Sequence, residues 1–164
     1  MDKAEFHALY QRYSGDVFRF SLYLSGQRAE AEDLTAETFM RAWTAADGIR
    51  TETVKAYLLS IASNLVREGL RKRSRPAQVS GEPIDPLPGP LAEASGRLEL
   101  RAVLRALQFL PPTDRAALLM KAQEGLSHEE IARALRLSVS AVRVKIHRAR
   151  LRLDAIRLRD TLPS

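Results

Sequence analysis

Apolar residues recur along this chain at intervals of three and four, the mark of helices that each bury one face. Phe6, Leu9, Tyr10, Tyr13 and Val17 make one such stripe, and Val54, Tyr57, Leu58, Ile61, Ala62 and Leu65 make another. Between them a helix from about Ala29 to Ala46 turns Leu34, Phe39, Ala42 and Trp43 toward the others, with breaks at Gly26 and Gly48. Three or more helices are thus predicted to share an N-terminal core. Further on, Leu100, Val103, Leu104 and Leu107 line one side of a helix over 98–109. Leu110-Pro111-Pro112 ends that helix and starts the next, because proline is tolerated in a first helical turn. The new helix carries Ala116, Leu119 and Met120 and runs to Gly125, a candidate left-handed terminator. Ser127-His128-Glu129-Glu130 has the spacing of a capping box, and Ile131, Ala132 and Leu135 form the inner face of the short helix it opens. After the turn Arg136-Leu137-Ser138, the positions Val139, Val142, Ile146, Ala149 and Leu153 repeat at three and four. Helix, tight turn and longer helix is the helix-turn-helix pattern, whose second helix lies in the major groove of DNA.

No stretch reads as a strand, so the expected fold is all-α. It divides in two, because five of the eight prolines and three of the eight glycines fall within 76–96. A segment that so often lacks an amide donor and fixes φ cannot carry a helix. The organisation is therefore a helical bundle over 1–75, a flexible linker over 76–96 and a helix-turn-helix domain over 97–164.

Charge sharpens this division. The 164 residues hold 26 Lys and Arg against 20 Asp and Glu, a net +6 that points to a polyanionic partner. The excess lies in the last segment, above all in Arg136, Arg143, Lys145, Arg148, Arg150, Arg152, Arg157 and Arg159, opposed over that stretch by Asp154 alone. On the second helix of the pair the face opposite the apolar stripe carries Ser140, Arg143, Val144, His147 and Arg148, flanked by Lys145 and Arg150. Arginine can bond guanine O6 and N7 together, whereas Lys and Ser more often fix register on phosphate. The N-terminal segment is instead polarised, with acids at Glu30, Glu32, Asp33 and Glu37 and bases at Arg67, Arg71, Lys72, Arg73 and Arg75.

Other chemistry is sparse. The chain has no cysteine, which removes disulfides, thiolate metal sites and cysteine nucleophiles. His7, His128 and His147 are scattered, His128-Glu129-Glu130-Ile131-Ala132 lacks the second histidine of a zinc-protease motif, and no phosphate-cradling glycine loop appears. Neither enzyme activity, a metal nor a cofactor is expected. The first residues lack the basic start and apolar core of a signal peptide, and no run nears the ~18 apolar residues of a membrane span, so a soluble, cytoplasmic protein is expected.

Taken together these features resemble the extracytoplasmic-function (ECF) group of bacterial RNA polymerase sigma factors, in the sigma-70 family. Asp33-Leu34-Thr35-Ala36-Glu37-Thr38-Phe39-Met40-Arg41-Ala42-Trp43 is similar to the family's region 2 helix that docks on the polymerase. Val54 to Leu65 with the basic run after it is similar to the promoter-melting helix. Leu110-Pro111-Pro112, Gly125 to Ala132 and Val142 to Arg150 resemble region 4. The resemblance implies an alternative sigma factor that binds core RNA polymerase and directs it to promoters. It implies polymerase contacts through Asp33, Glu37, Phe39, Arg41 and Trp43. It places the −10 element, including an unstacked base held by 46–53 and Asn64, on Ile49, Lys55, Tyr57, Asn64, Arg67, Arg71, Lys72 and Arg73. The −35 element falls to Ser140, Arg143, Val144, Lys145, His147, Arg148 and Arg150. Many members are restrained by an anti-sigma factor, so such a partner is expected as well.

Two promoter elements about two helical turns apart lie ~70 Å from one another, whereas a flexible linker of this length spans ~25 Å on average and ~70 Å at its limit. The free domains are therefore expected to lie close together, and a partner that keeps them packed is expected to block both DNA-binding faces. Two other readings use the same helix-turn-helix. Gly125 to Leu153 also resembles a LuxR-type regulator, but 1–75 is too short and too helical for the ligand or receiver domain of that class. A sigma-like decoy that binds an anti-sigma factor would have little need of the basic recognition face.

Overall fold

The structure, a computed structural model, describes residues 2–45, 53–73 and 94–161. Among these there are seven helices and no strand: α1 (Lys3–Ser25), α2 (Arg28–Thr44), α3 (Val54–Arg73), α4 (Ala94–Gln108), α5 (Pro112–Ala122), α6 (His128–Leu135) and α7 (Val139–Thr161). The ends follow local chemistry. Asp2 caps α1 by accepting from the Glu5 amide at 2.8 Å, while the Glu5 carboxylate accepts from the Asp2 amide at 3.0 Å. Gly26 closes the same helix at φ +77°, its N–H bonded to the Leu22 carbonyl at 2.7 Å. The capping box expected at Ser127 and Glu130 is present in both directions.

α1, α2 and α3 enclose a small core of Val17, Phe39, Ala42 and Leu58, with Phe6, Leu9, Tyr13, Val54, Tyr57 and Ile61 packed around it. Two threonines of α2 point inward with their donors satisfied, because the Thr35 and Thr38 hydroxyls donate to the Ala31 and Leu34 carbonyls at 2.7 and 2.6 Å. Trp43, expected toward the other helices, is 42% exposed and meets Phe6 edge-on with ring centroids 4.7 Å apart.

The larger core crosses between the two halves of the chain. α3 has a second apolar face, Ala56, Leu59, Ala62 and Val66, which packs with Phe20 and Leu24 of α1 against α5 and α6. Leu107, Leu110, Met120, Ile131, Leu135, Val142, Ile146 and Ala149 belong to the same cluster. Each fully buried Leu, Ile, Val, Met or Phe side chain there contributes about 1.5–3 kcal/mol of burial free energy, so the halves are held by a common interior as well as by polar contacts. A reading that follows one stripe per helix catches only Ala62 of this face, since Leu58 and Leu59 are adjacent and face different cores.

Two boundaries differ from expectation. α4 begins at Ala94, inside the stretch assigned to the linker, and takes in Gly96, around which a side chain would find open space. One glycine costs a helix only about 1 kcal/mol. On the same helix Leu104 and Leu107 are buried, but Val103 is exposed. α5 ends at Ala122, and Gly125 adopts φ +70° in the connection that follows.

Candidate functional site

α7 is set by its buried stripe. Val142, Ile146 and Ala149 lie against α5 and α6, which turns Ser140, Arg143, Val144, His147, Arg148 and Arg150 to the surface. The turn before it places Arg136 at φ 56°, ψ 49°, a left-handed conformation in a non-glycine residue. Ser138 steadies the start of α7 by accepting the Ala141 amide at 3.1 Å. The helix thus presents an exposed basic face of the length that enters a major groove.

Two of its cations are anchored from below. Asp114, in the first turn of α5, has a fully buried carboxylate that accepts from Arg148 Nε at 2.8 Å and Nη2 at 3.0 Å, and from Lys145 Nζ at 3.5 Å. Burial works to raise this carboxyl. The bonds and charge of Arg148, with Lys145 behind them, outweigh it and hold the group below its ordinary 3.8. Only 23% of the Lys145 side chain is exposed, whereas 48% of the Arg148 side chain stays open to solvent.

The expected −10 residues lie on or before α3. Ile49 and the rest of 46–52 fall outside the described residues, as do the side chains of Arg71, Lys72 and Arg73 at the end of the helix. Asn64 accepts a hydrogen bond from Arg67 one turn on, so these two form a pair on one face. The Tyr57 hydroxyl reaches the Ala45 carbonyl at 3.5 Å and ties α3 to the end of α2. Lys55 points elsewhere: its ammonium sits 3.0 Å from Glu124 and 3.9 Å from Asp16.

On α2 the exposed face carries Asp33, Glu37, Arg41 and Trp43. Arg41 bridges Glu37 and Glu68, each at 3.3 Å, and bonds to these acids raise its pKa above the ordinary value. Phe39 does not share that face. It is 2% exposed in the small core, so it lies beneath the exposed α2 residues instead of among them. The sequence reading missed Met40, which is 65% exposed and borders an apolar hollow with Lys3, Phe6, Trp43 and Thr44. Its spacing from Asp33 and Glu37 was the available signal.

Two further residues that pattern reading missed join the halves, together with Thr53 of the expected −10 segment. Glu124, with its carboxylate fully buried, pairs with Arg19 of α1 at 3.2 Å and Lys55 of α3 at 3.0 Å. Arg115 is buried with no carboxylate on it. It donates to the carbonyls of Leu107 at 2.8 Å, Leu110 at 2.9 Å and Leu24 at 2.6 Å, and burial lowers its pKa. Leu24 is in the last turn of α1 and Leu107 in the last turn of α4, so the guanidinium caps the negative ends of two helix dipoles. Thr53 adds a bond to Glu130 at 2.9 Å across the same seam. This packing engages Lys55 but leaves the outer face of α7 exposed. The packing of the halves by itself therefore leaves the α7 face uncovered.

No metal-binding cluster of His, Asp or Glu occurs among the described residues, and no helix there is long and apolar enough to cross a membrane. The sigma-70 region 2 family matches residues 9–76, and the sigma-70 region 4 family matches residues 100–153. The chain is similar to the ECF RNA polymerase sigma factor SigE of Mycolicibacterium smegmatis, at 36% identity over 153 residues that cover 88% of this chain and 58% of that one. It is 30% identical over 150 residues to the ECF RNA polymerase sigma factor SigM of Bacillus subtilis, covering 90% and 92%. The chain thus spans nearly all of SigM but little more than half of SigE. Among solved structures, the sigma factor RpoE of Bartonella quintana, in complex with the anti-sigma factor NepR, aligns at TM-score 0.78 and 26% identity over 93% of this chain and 96% of that one. CnrH, in complex with the cytosolic domain of CnrY, aligns at TM-score 0.75 and 27% identity over 98% and 92%. With both sigma regions matched in order and a relative covered almost end to end, this chain belongs to the ECF group of the sigma-70 family.

Proposed function

We infer that the protein is an alternative sigma factor of the cytoplasm, which associates reversibly with core RNA polymerase, selects promoters through two domains and assists in opening the duplex. The observation that carries this reading is the pairing, in one chain, of a region 2 bundle and a region 4 helix-turn-helix with an exposed basic recognition helix. In this reading the α2 face of Asp33, Glu37, Met40 and Trp43 meets the polymerase, its acids facing a basic surface. The face of α3 with Asn64 and Arg67 takes the −10 element, and Arg143, Val144, His147 and Arg148 read the −35 element. Lys145 and Arg150 contact phosphate.

An anti-sigma factor fits the same account. The similar RpoE and CnrH chains were solved in complexes, RpoE with an anti-sigma factor, and their alignments span both halves of this chain. A partner that clasps the closed arrangement seen here would keep the two reading surfaces too close to engage a promoter together.

Charge reversal separates the roles. Asp33→Lys with Glu37→Lys should weaken association with core polymerase at least tenfold in a fluorescence binding assay and leave binding to a promoter duplex unchanged. Arg143→Ala should do the reverse, costing ~1–3 kcal/mol of −35 discrimination. If the α2 variant impairs only DNA binding, the docking face is wrongly placed.

A further inference from the structure

We propose that Asp114 is a positioning residue for promoter recognition, gripping one edge of Arg148 from beneath α7 so that the other edge is presented in a fixed plane to a guanine. The inference rests on the reading of α7 as the promoter-recognition helix.

A guanidinium offers five N–H donors in a rigid plane, with one side edge at Nε and Nη2 and an outer edge at Nη1 and Nη2. Asp114 takes the side edge with both carboxylate oxygens, at 2.8 and 3.0 Å. The outer edge remains, with one N–H on Nη2 and both on Nη1, on a side chain that is about half exposed. That edge matches the O6 and N7 acceptors of guanine. A free arginine would pay rotamer entropy to adopt such a pose, whereas this one is held before DNA arrives.

The placement is specific. Arg148 lies one turn beyond Arg143 and Val144 on the exposed face, and Arg143 has no comparable buried acid among the described contacts. Lys145, at 3.5 Å from Asp114, contributes charge but has no planar fork to orient. The simpler role for Asp114 is a brace between α5 and α7. Either role contributes to fold stability, but a brace alone predicts equal weakening on every duplex, whereas a positioning residue predicts loss of preference.

The test uses the full chain bound to core polymerase and a duplex carrying a −35 element that it transcribes, alongside duplexes in which each −35 G·C pair is changed singly to A·T. The wild type should lose about 5- to 150-fold at one guanine. In Asp114→Asn the same change should cost under threefold, with affinity for scrambled duplex equal or higher, because Arg148 and Lys145 are released toward phosphates. Arg148→Lys, which keeps the charge without the fork, should show the same indifference at the same base pair and no other. An undiminished guanine penalty in Asp114→Asn overturns the proposal, and so does a uniform loss on all duplexes. Should Asp114→Asn fail to fold, the Arg148 Nε–H signal of the wild type in nitrogen-15 spectra decides. Protection from exchange both free and on DNA supports the grip, and protection lost on DNA overturns it. A wild type that discriminates no −35 base would instead refute the reading of α7, a separate outcome.

Discussion

Glu124→Gln should release the contact between the two halves. The substitution keeps size and hydrogen-bonding capacity but removes the one buried carboxylate facing Arg19 at 3.2 Å and Lys55 at 3.0 Å. Deleting one partner of a fully buried pair costs about 3–5 kcal/mol. Here the cations are 46% and 28% exposed and retain Asp16, at 3.2 and 3.9 Å, so solvent and the remaining acid recover much of the loss. The penalty that remains is about 1–2 kcal/mol, which multiplies the ratio of open to closed molecules by about 5 to 30. Because the chain lacks cysteine, Ala29→Cys and Ala155→Cys at exposed positions give two unique labels. Single-molecule energy transfer between them should show the wild type mainly in one compact population and the variant with a grown low-transfer population. An unchanged distribution, with both halves still folded, would refute the reasoning that this pair holds the closed arrangement, and a wild type already extended would refute the closed arrangement itself.

Further outcomes follow from individual sites. Arg136→Gly should stabilise the helix-turn-helix by ~0.5–1 kcal/mol in urea unfolding, since relief of a left-handed non-glycine residue exceeds the added chain entropy of glycine. Gly26→Ala should destabilise by ~1–2 kcal/mol, because φ is +77° and its new methyl would meet the Gln108 side chain at 3.0 Å. The Asp114 carboxyl is held below 3.8, so its stabilisation is complete above the unfolded value and is lost as pH falls through the folded one. The difference in unfolding free energy between wild type and Asp114→Asn should accordingly be full at pH 7 and shrink in strong acid; a constant difference would contradict the assignment. Met40→Asp should weaken association with core polymerase without a change in Tm, as the side chain is 65% exposed.

The helices that carry function were legible because their chemistry is local. The stripe Val142, Ile146 and Ala149 fixes which side of α7 faces out, and the Ser127–Glu130 box fixes where α6 begins. The contacts that join the halves were not legible, for a physical reason. A charged residue in a helix pattern reads as solvated, and nothing near Glu124 in the chain announces Arg19 or Lys55, more than sixty residues away. Asp114 and Arg115 stand next to each other yet turn opposite ways, one to α7 and the other to the ends of α1 and α4. Their one local hint is an adjacent acid and base in front of a run, 116–120, made only of Ala, Leu and Met. Phe39 shows the converse: its place within the docking motif suggested contact, and only packing reveals that Met40 and Trp43 form the surface above it.

The most direct test of the account is run-off transcription with core RNA polymerase and genomic fragments, with and without the full chain. The account predicts new transcripts whose start sites share one pair of upstream elements, and their loss when Arg143 and Arg148 are both changed to alanine. Transcripts no different from those of core polymerase alone, across fragments from the same genome, would contradict it.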